Sequence, residues 1–132
     1  MRIEDRKLLA WVAEDDAEMR RMIVKVLYRL GFRVDEFSDG KQLVERIEML
    51  DETDSVIESP AIVIVDHIMP EVHGLDAVSQ LKNLHNEIPF IVITAFGDVE
   101  LHKRAESLGA VAVLDKPFDL DRFRDLTLRF RV

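Results

Sequence analysis

The amino-acid sequence predicts an α/β fold, a three-layer α/β/α sandwich around a five-stranded parallel sheet. Three observations carry that expectation. Short continuous apolar runs at Leu8 to Ala13, Ala61 to Val65, Phe90 to Ile93 and Val111 to Leu114 have strand length and no polar alternation, as strands covered on both faces do. Segments with a single apolar helical stripe separate them, so strands and helices alternate throughout. Each run then ends in a polar group: Glu14-Asp15, Asp66, Thr94 and Lys116. Right-handed crossovers between parallel strands bring all four to one sheet edge, the carboxyl ends, where open α/β sheets bind ligands. Three acids, a hydroxyl and an ammonium suit a divalent cation together with a phosphoryl group.

The elements follow in order. Trp11 lies in the first strand and belongs to the core. Asp16 is an N-cap candidate for a first helix in which Met19, Met22, Ile23, Val26, Leu27 and Leu30 form one stripe, with Arg20, Arg21, Lys25 and Arg29 off it. Gly31 ends that helix at C′. Arg33 to Phe37 is a short second strand, and Ser38 or Asp39 caps a helix that turns Leu43, Val44, Ile47 and Leu50 inward. Asp51 to Pro60 is polar and patternless, an expected surface loop of unusual length. Beyond the loop from Asp66 to Gly74, Leu75 to Leu84 is helical, Phe90 to Thr94 is a strand after Pro89, and Asp98 to Leu108 is a helix closed by Gly109. Val111 to Leu114 is the fifth strand. Phe123, Leu126, Thr127 and Phe130 mark a last helix from about Asp119 to the chain end.

Composition narrows the function. With 132 residues, one domain over 1–132 is expected, its core at about 8–130. Cysteine is absent and histidine numbers four, so thiolate sites are excluded and any metal should be a hard, oxygen-bound ion. The formal net charge of -8 opposes nucleic-acid phosphates. Leu8 to Ala13 is too short for a signal core or a membrane span, so a cytoplasmic location without membrane contact is expected.

Four short motifs resemble the response-regulator receiver domain of two-component signalling, and the chemotaxis regulators in particular: Glu14-Asp15, Asp66-His67-Ile68-Met69-Pro70 with Gly74, Thr94-Ala95, and Lys116-Pro117-Phe118. Each alone recurs by chance; all four in order, each at a strand end, are specific. The resemblance implies a flavodoxin-like sheet of order 2-1-3-4-5. It implies Asp66 as phosphoacceptor from a histidine kinase or phosphotransfer protein, and Mg²⁺ held by Glu14, Asp15, Asp66 and the backbone carbonyl of Ile68. It further implies Thr94 and Lys116 as phosphoryl ligands, and a cis Lys116-Pro117 peptide. Met69 and Pro70 then shape the loop and pack beneath it, Gly74 answers a backbone need that a Cβ would hinder, and His67 faces solvent.

The chain departs from the family at Val113, where Tyr or Phe is common, so the aromatic switch is absent or altered. Ile68 and Phe96 are large and apolar where the family is often polar; they are expected to hinder hydrolysis of the acyl phosphate. Leu128, near Arg124 and Arg131, is a candidate contact for a downstream target or a second copy, the family's usual output surface being the fourth helix, fifth strand and last helix. A fused output domain is the other expected recipient of the signal. Two further readings compete: a phosphorylation-independent interaction module with the same fold, and a Mg²⁺-dependent phosphatase, for which the sequence offers neither a second acid for the leaving group nor a cap.

Overall fold

The computed structural model describes residues 7–50 and 57–131. Five strands and five helices alternate: β1 (Leu9–Ala13), α1 (Ala17–Arg29), β2 (Arg33–Phe37), α2 (Gly40–Leu50), β3 (Ile62–Asp66), α3 (Gly74–Leu84), β4 (Phe90–Thr94), α4 (Val99–Ser107), β5 (Ala112–Asp115) and α5 (Leu120–Leu128). All strand pairs are parallel, in the order β2-β1-β3-β4-β5. The expected flavodoxin-like architecture is the one observed.

Side-chain alternation builds the two outer layers. Leu9, Trp11, Ala13, Val63, Val65, Phe90 and Val92 face one cluster with α2, α3 and α4. Ala10, Val12, Ile62, Ile64, Ile91 and Ile93 face the other with α1 and α5. Every residue of β1, β3 and β4 is therefore buried, and each full Val, Ile, Leu or Phe burial contributes about 1.5–3 kcal/mol. The three strands that carry the acids and the hydroxyl form a rigid floor, whereas β2 and β5 are half-exposed edges.

Local chemistry sets the helix ends. The Asp16 carboxylate accepts from Glu18 N–H at 2.9 Å and Met19 N–H at 3.3 Å, and Gly31, at φ 95°, supplies the left-handed C′ residue. Asp39, rather than Ser38, caps α2 through Gln42 N–H at 2.8 Å. Asp98 and Asp119 cap α4 and α5.

Some boundaries differ from expectation. Met22 is exposed and Val24 is buried in its place, because α1 turns toward the groove between the sheet and α5 rather than toward the sheet alone. The fifth strand runs one residue later, to Asp115, and α5 stops at Leu128 with Arg129 as C-cap, so Phe130 reaches the core from a terminal turn. Of the loop expected from Asp51 to Pro60, residues 51–56 lie outside the described residues. Among the described residues no helix is long and apolar enough to cross a membrane.

Candidate functional site

The site is assembled where β1, β3, β4 and β5 end. Glu14 prolongs the ladder of β1 by one residue, its N–H donating to Phe37 O at 3.0 Å, which directs its side chain into the fold and leaves it fully buried. Asp15, the next residue, is exposed. Arg20, one turn into α1, clamps this corner, donating from Nη1 to Glu14 O at 2.7 Å and from Nε to Glu36 Oε1 at 3.1 Å. In the sequence Arg20 reads only as a residue off the apolar stripe; its role depends on the start angle of α1 and on Glu36 of the neighbouring strand, neither of which a local pattern encodes.

Asp66 closes β3 and is only 3% exposed. Its Oδ1 accepts from Ile68 N–H at 3.2 Å. The chain returns tightly past it: Gly74 N–H donates to His67 O at 2.8 Å, and a Cβ on Gly74 would stand 2.2 Å from Asp66 O. Glycine is needed there for space, not for a positive φ. Met69 is buried beneath the loop as expected, but Pro70 is exposed and acts through its carbonyl, which accepts from Gly40 and Val72 N–H. His67 is likewise not a free surface residue. It is half-buried, its Nδ1 accepts from Leu75 N–H at 3.3 Å, and its ring meets His73 edge-on. Burial, with His73 and Arg104 nearby, lowers its pKa.

Lys116 leaves β5 with its N–H bonded to Thr94 O at 2.7 Å, and the following Lys116-Pro117 peptide is cis. Its Nζ lies 2.5 Å from Glu14 Oε1 and 2.9 Å from Asp66 Oδ2, so one ammonium joins the ends of three strands. Thr94 is fully buried at the end of β4, and its Oγ1 accepts from Phe96 N–H at 3.2 Å.

The electrostatics follow from this crowding. Oxygens of Glu14, Asp15 and Asp66 lie within 4.8 Å of one another. Burial, then the neighbouring Asp66 carboxylate, pushes the Glu14 pKa up to about 8 against the pull of Lys116. Burial opposes the charge of Lys116, but its bonds to Glu14 and Asp66 outweigh it and raise its pKa. Glu14 Oε2 is buried without a hydrogen-bond partner, an uncommon state for a carboxyl oxygen. Three clustered carboxylates, one with an orphaned oxygen, fit a hard divalent cation.

The sequence model of the response regulator receiver domain matches residues 10–127. This chain belongs to that family. It is 32% identical to the response regulator receiver protein CpdR of Brucella abortus over 116 residues, covering 87% of each chain. It is 28% identical to the DNA-binding transcriptional regulator NtrC of Klebsiella pneumoniae over 113 residues, covering 86% of this chain. The match spans only 22% of that regulator's length. Among solved structures, the CheX-CheY-BeF3-Mg complex of Borrelia burgdorferi superposes with a TM-score of 0.77 at 20% identity, over 95% of this chain and 90% of that one.

Within this receiver domain the geometry brings Glu14, Asp15, Asp66 and Lys116 into one cluster. Thr94 joins it through the backbone, by the bond between its carbonyl and Lys116 N–H, while its hydroxyl is engaged with Phe96. Chemically the arrangement offers an oxygen nucleophile held by one ammonium and one amide, beside a set of cation donors. Phosphoryl transfer asks a protein chiefly for such positioning and charge neutralisation.

Proposed function

We propose that this receiver domain is a phosphorylation-controlled switch in which Asp66 accepts a phosphoryl group from a histidine kinase or a phosphotransfer protein. A carboxylate oxygen of Asp66 attacks the phosphorus of phosphohistidine; the new P–O bond forms as the P–N bond breaks, and the imidazole takes the released electron pair. Lys116, already on Asp66 Oδ2, pairs with the carboxylate before transfer and with the phosphoryl oxygens after it. The Thr94 hydroxyl donates to another phosphoryl oxygen.

Glu14, Asp15, Asp66 and the carbonyl of Ile68 would hold Mg²⁺. When bound, the ion neutralises the charge that carboxylates and phosphoryl oxygens bring together. The bridge from Lys116 Nζ to both Glu14 and Asp66, beside three carboxylates within 4.8 Å, is the observation that carries this reading. The Borrelia CheY complex, which contains BeF3 and Mg, is consistent with it. The domain is then a stoichiometric signalling element of the cytoplasm, not a turnover enzyme, and it passes its state to a downstream protein or a fused output domain.

The test is intact-mass analysis after incubation with acetyl phosphate and Mg²⁺. The expected result is stoichiometric addition of one phosphoryl group, abolished by EDTA and by Asp66→Asn. A folded protein that never takes up the label supports the phosphorylation-independent module instead, and catalytic turnover of a small phosphate ester supports the phosphatase.

A further inference from the structure

Large apolar side chains reach solvent at several places, among them Met49 on α2, Leu84 on α3, Val99 on α4 and Leu128 on α5, and single exposed residues are ordinary. Phe96 and Ile68 are different. They are 76% and 43% exposed, and together with Leu101 they line one groove of about 360 Å³ between the β3–α3 loop and the first turns of α4. Converging apolar groups of this kind mark binding surfaces.

The polar lining of the groove is acidic in effect. His67, Asp98 and Glu100 lie along it; burial lowers the His67 pKa, Asp98 Oδ1 accepts from Leu101 N–H at 2.8 Å as the cap of α4, and Glu100 has no ion-pair partner among the described residues. The one cation of the lining, Arg104, is bonded to Asp76 of α3 at 2.6 Å, which neutralises it and ties α4 to α3. A phosphate-bearing ligand, whether nucleic acid or lipid headgroup, meets carboxylates here and is disfavoured. A protein segment that pairs an apolar side chain with cations is favoured.

Both apolar walls hang on the two groups that flank the phosphoryl position. Ile68 N–H donates to Asp66 Oδ1 and Phe96 N–H donates to Thr94 Oγ1, each at 3.2 Å. A change of bonding at Asp66 or Thr94 therefore reaches one wall each, with no intervening side chain.

We propose that this groove docks a segment of a partner protein carrying one aromatic or branched aliphatic side chain flanked by Lys or Arg, and grips it more tightly when Asp66 is phosphorylated. The second half rests on the function proposed above. The first half stands on the groove alone.

Short random peptides displayed on phage are selected on the whole chain with Mg²⁺ and beryllofluoride, and the enriched sequences are synthesised for binding measurements. The expected sequences pair one aromatic or branched aliphatic residue with Lys or Arg. They bind at least about fivefold tighter with beryllofluoride than without it, the lower end of ordinary coupling, and Phe96→Ser or Glu100→Lys removes that binding. Glu100→Lys keeps its labelling by acetyl phosphate. No enrichment, acidic sequences, indifference to both substitutions or indifference to beryllofluoride overturns the proposal. So does self-association abolished by Phe96→Ser, which makes a second copy the occupant. Uptake of beryllofluoride is read separately by fluorine NMR: its absence defeats the phosphoryl switch, whereas uptake without peptide binding defeats only the groove.

Discussion

On one side of Asp66 lie Glu14, fully buried, and Lys116, partly buried, whose ammonium bonds to Glu14 at 2.5 Å and to Asp66 at 2.9 Å across three strand ends. On the other side lie Ile68 and Phe96, apolar and exposed, each held by an N–H hydrogen bond of 3.2 Å, to Asp66 Oδ1 and Thr94 Oγ1 respectively. The charged half is seated on the fully buried strands β1 and β3, where moving any member strands a buried charge. The apolar half sits on two loops. Chemistry is placed where the fold is stiff, and the parts able to report its outcome are placed where displacement costs little.

The largest expected effect tests the charged half. Lys116→Met removes the one cation that, among the described residues, pairs with the carboxyl groups of both Glu14 and Asp66, and leaves two adjacent acids in a buried corner. Losing a group preorganised for transition-state charge costs about 10²–10³ in rate, so labelling by acetyl phosphate should slow by about that factor. Breaking a buried pair costs about 3–5 kcal/mol; uptake of a proton by Glu14 holds the loss near the lower end, about 3 kcal/mol. Urea denaturation alongside labelling kinetics checks both. An unchanged labelling rate would show that the ammonium is structural only.

A smaller effect comes from Glu14, whose pKa stands at about 8 against an ordinary 4.5. Between those values the folded protein holds a proton that the unfolded chain releases, so stability falls as pH rises through that window. The contribution is fully present below about 4.5 and is lost toward 8. The unfolding free energy from urea titrations in EDTA should therefore decline from pH 5 to 8, by an amount on the order of a few kcal/mol, and Glu14→Gln should flatten the decline. Because a cation must displace the same proton, apparent Mg²⁺ affinity should rise with pH, by up to about tenfold per unit below pH 8. A Mg²⁺ affinity independent of pH would remove Glu14 from the metal donors.

Most of the charged half was legible in the sequence, because a buried parallel strand is a continuous apolar run and the first polar residue after it marks the edge. That rule marks Asp66 and Thr94; Lys116 stands one residue further on, after Asp115, where the proline that follows it is the added signal, and capping chemistry marks Asp16. What escaped depends on contacts between distant segments. Val24 replaces Met22 in the core because α1 also packs on α5. His67 is fixed by Leu75 N–H, and Arg20 by a carbonyl before its helix and a carboxylate on β2. Hydrophobic periodicity reports which face of an element is apolar, and it says nothing about which of two neighbours claims an intermediate position. The groove was visible only as two unusual residues, Ile68 and Phe96, until the loops placed them side by side.

The smallest expected effect tests the apolar half. Hydrolysis of an aspartyl phosphate needs a water to approach the phosphorus along the line of the P–O bond, from the open side of the crevice. Ile68 and Phe96 lie two residues beyond Asp66 and Thr94 and are bonded to them through their N–H groups, and their exposed side chains are expected to flank that approach. Replacing both with small polar residues, Ile68→Asn with Phe96→Ser, should shorten the phosphoryl lifetime about tenfold, equivalent to about 1.4 kcal/mol in the barrier. Stability should change by less than about 0.5 kcal/mol, as is usual for exposed positions. Decay of the labelled mass after removal of acetyl phosphate, with Mg²⁺ kept constant, measures it. A lifetime of seconds in the unaltered chain would show that these side chains do not exclude water. A lifetime shortened equally by Lys116→Met would return hydrolysis to the charged half and end the division of labour between the two sides.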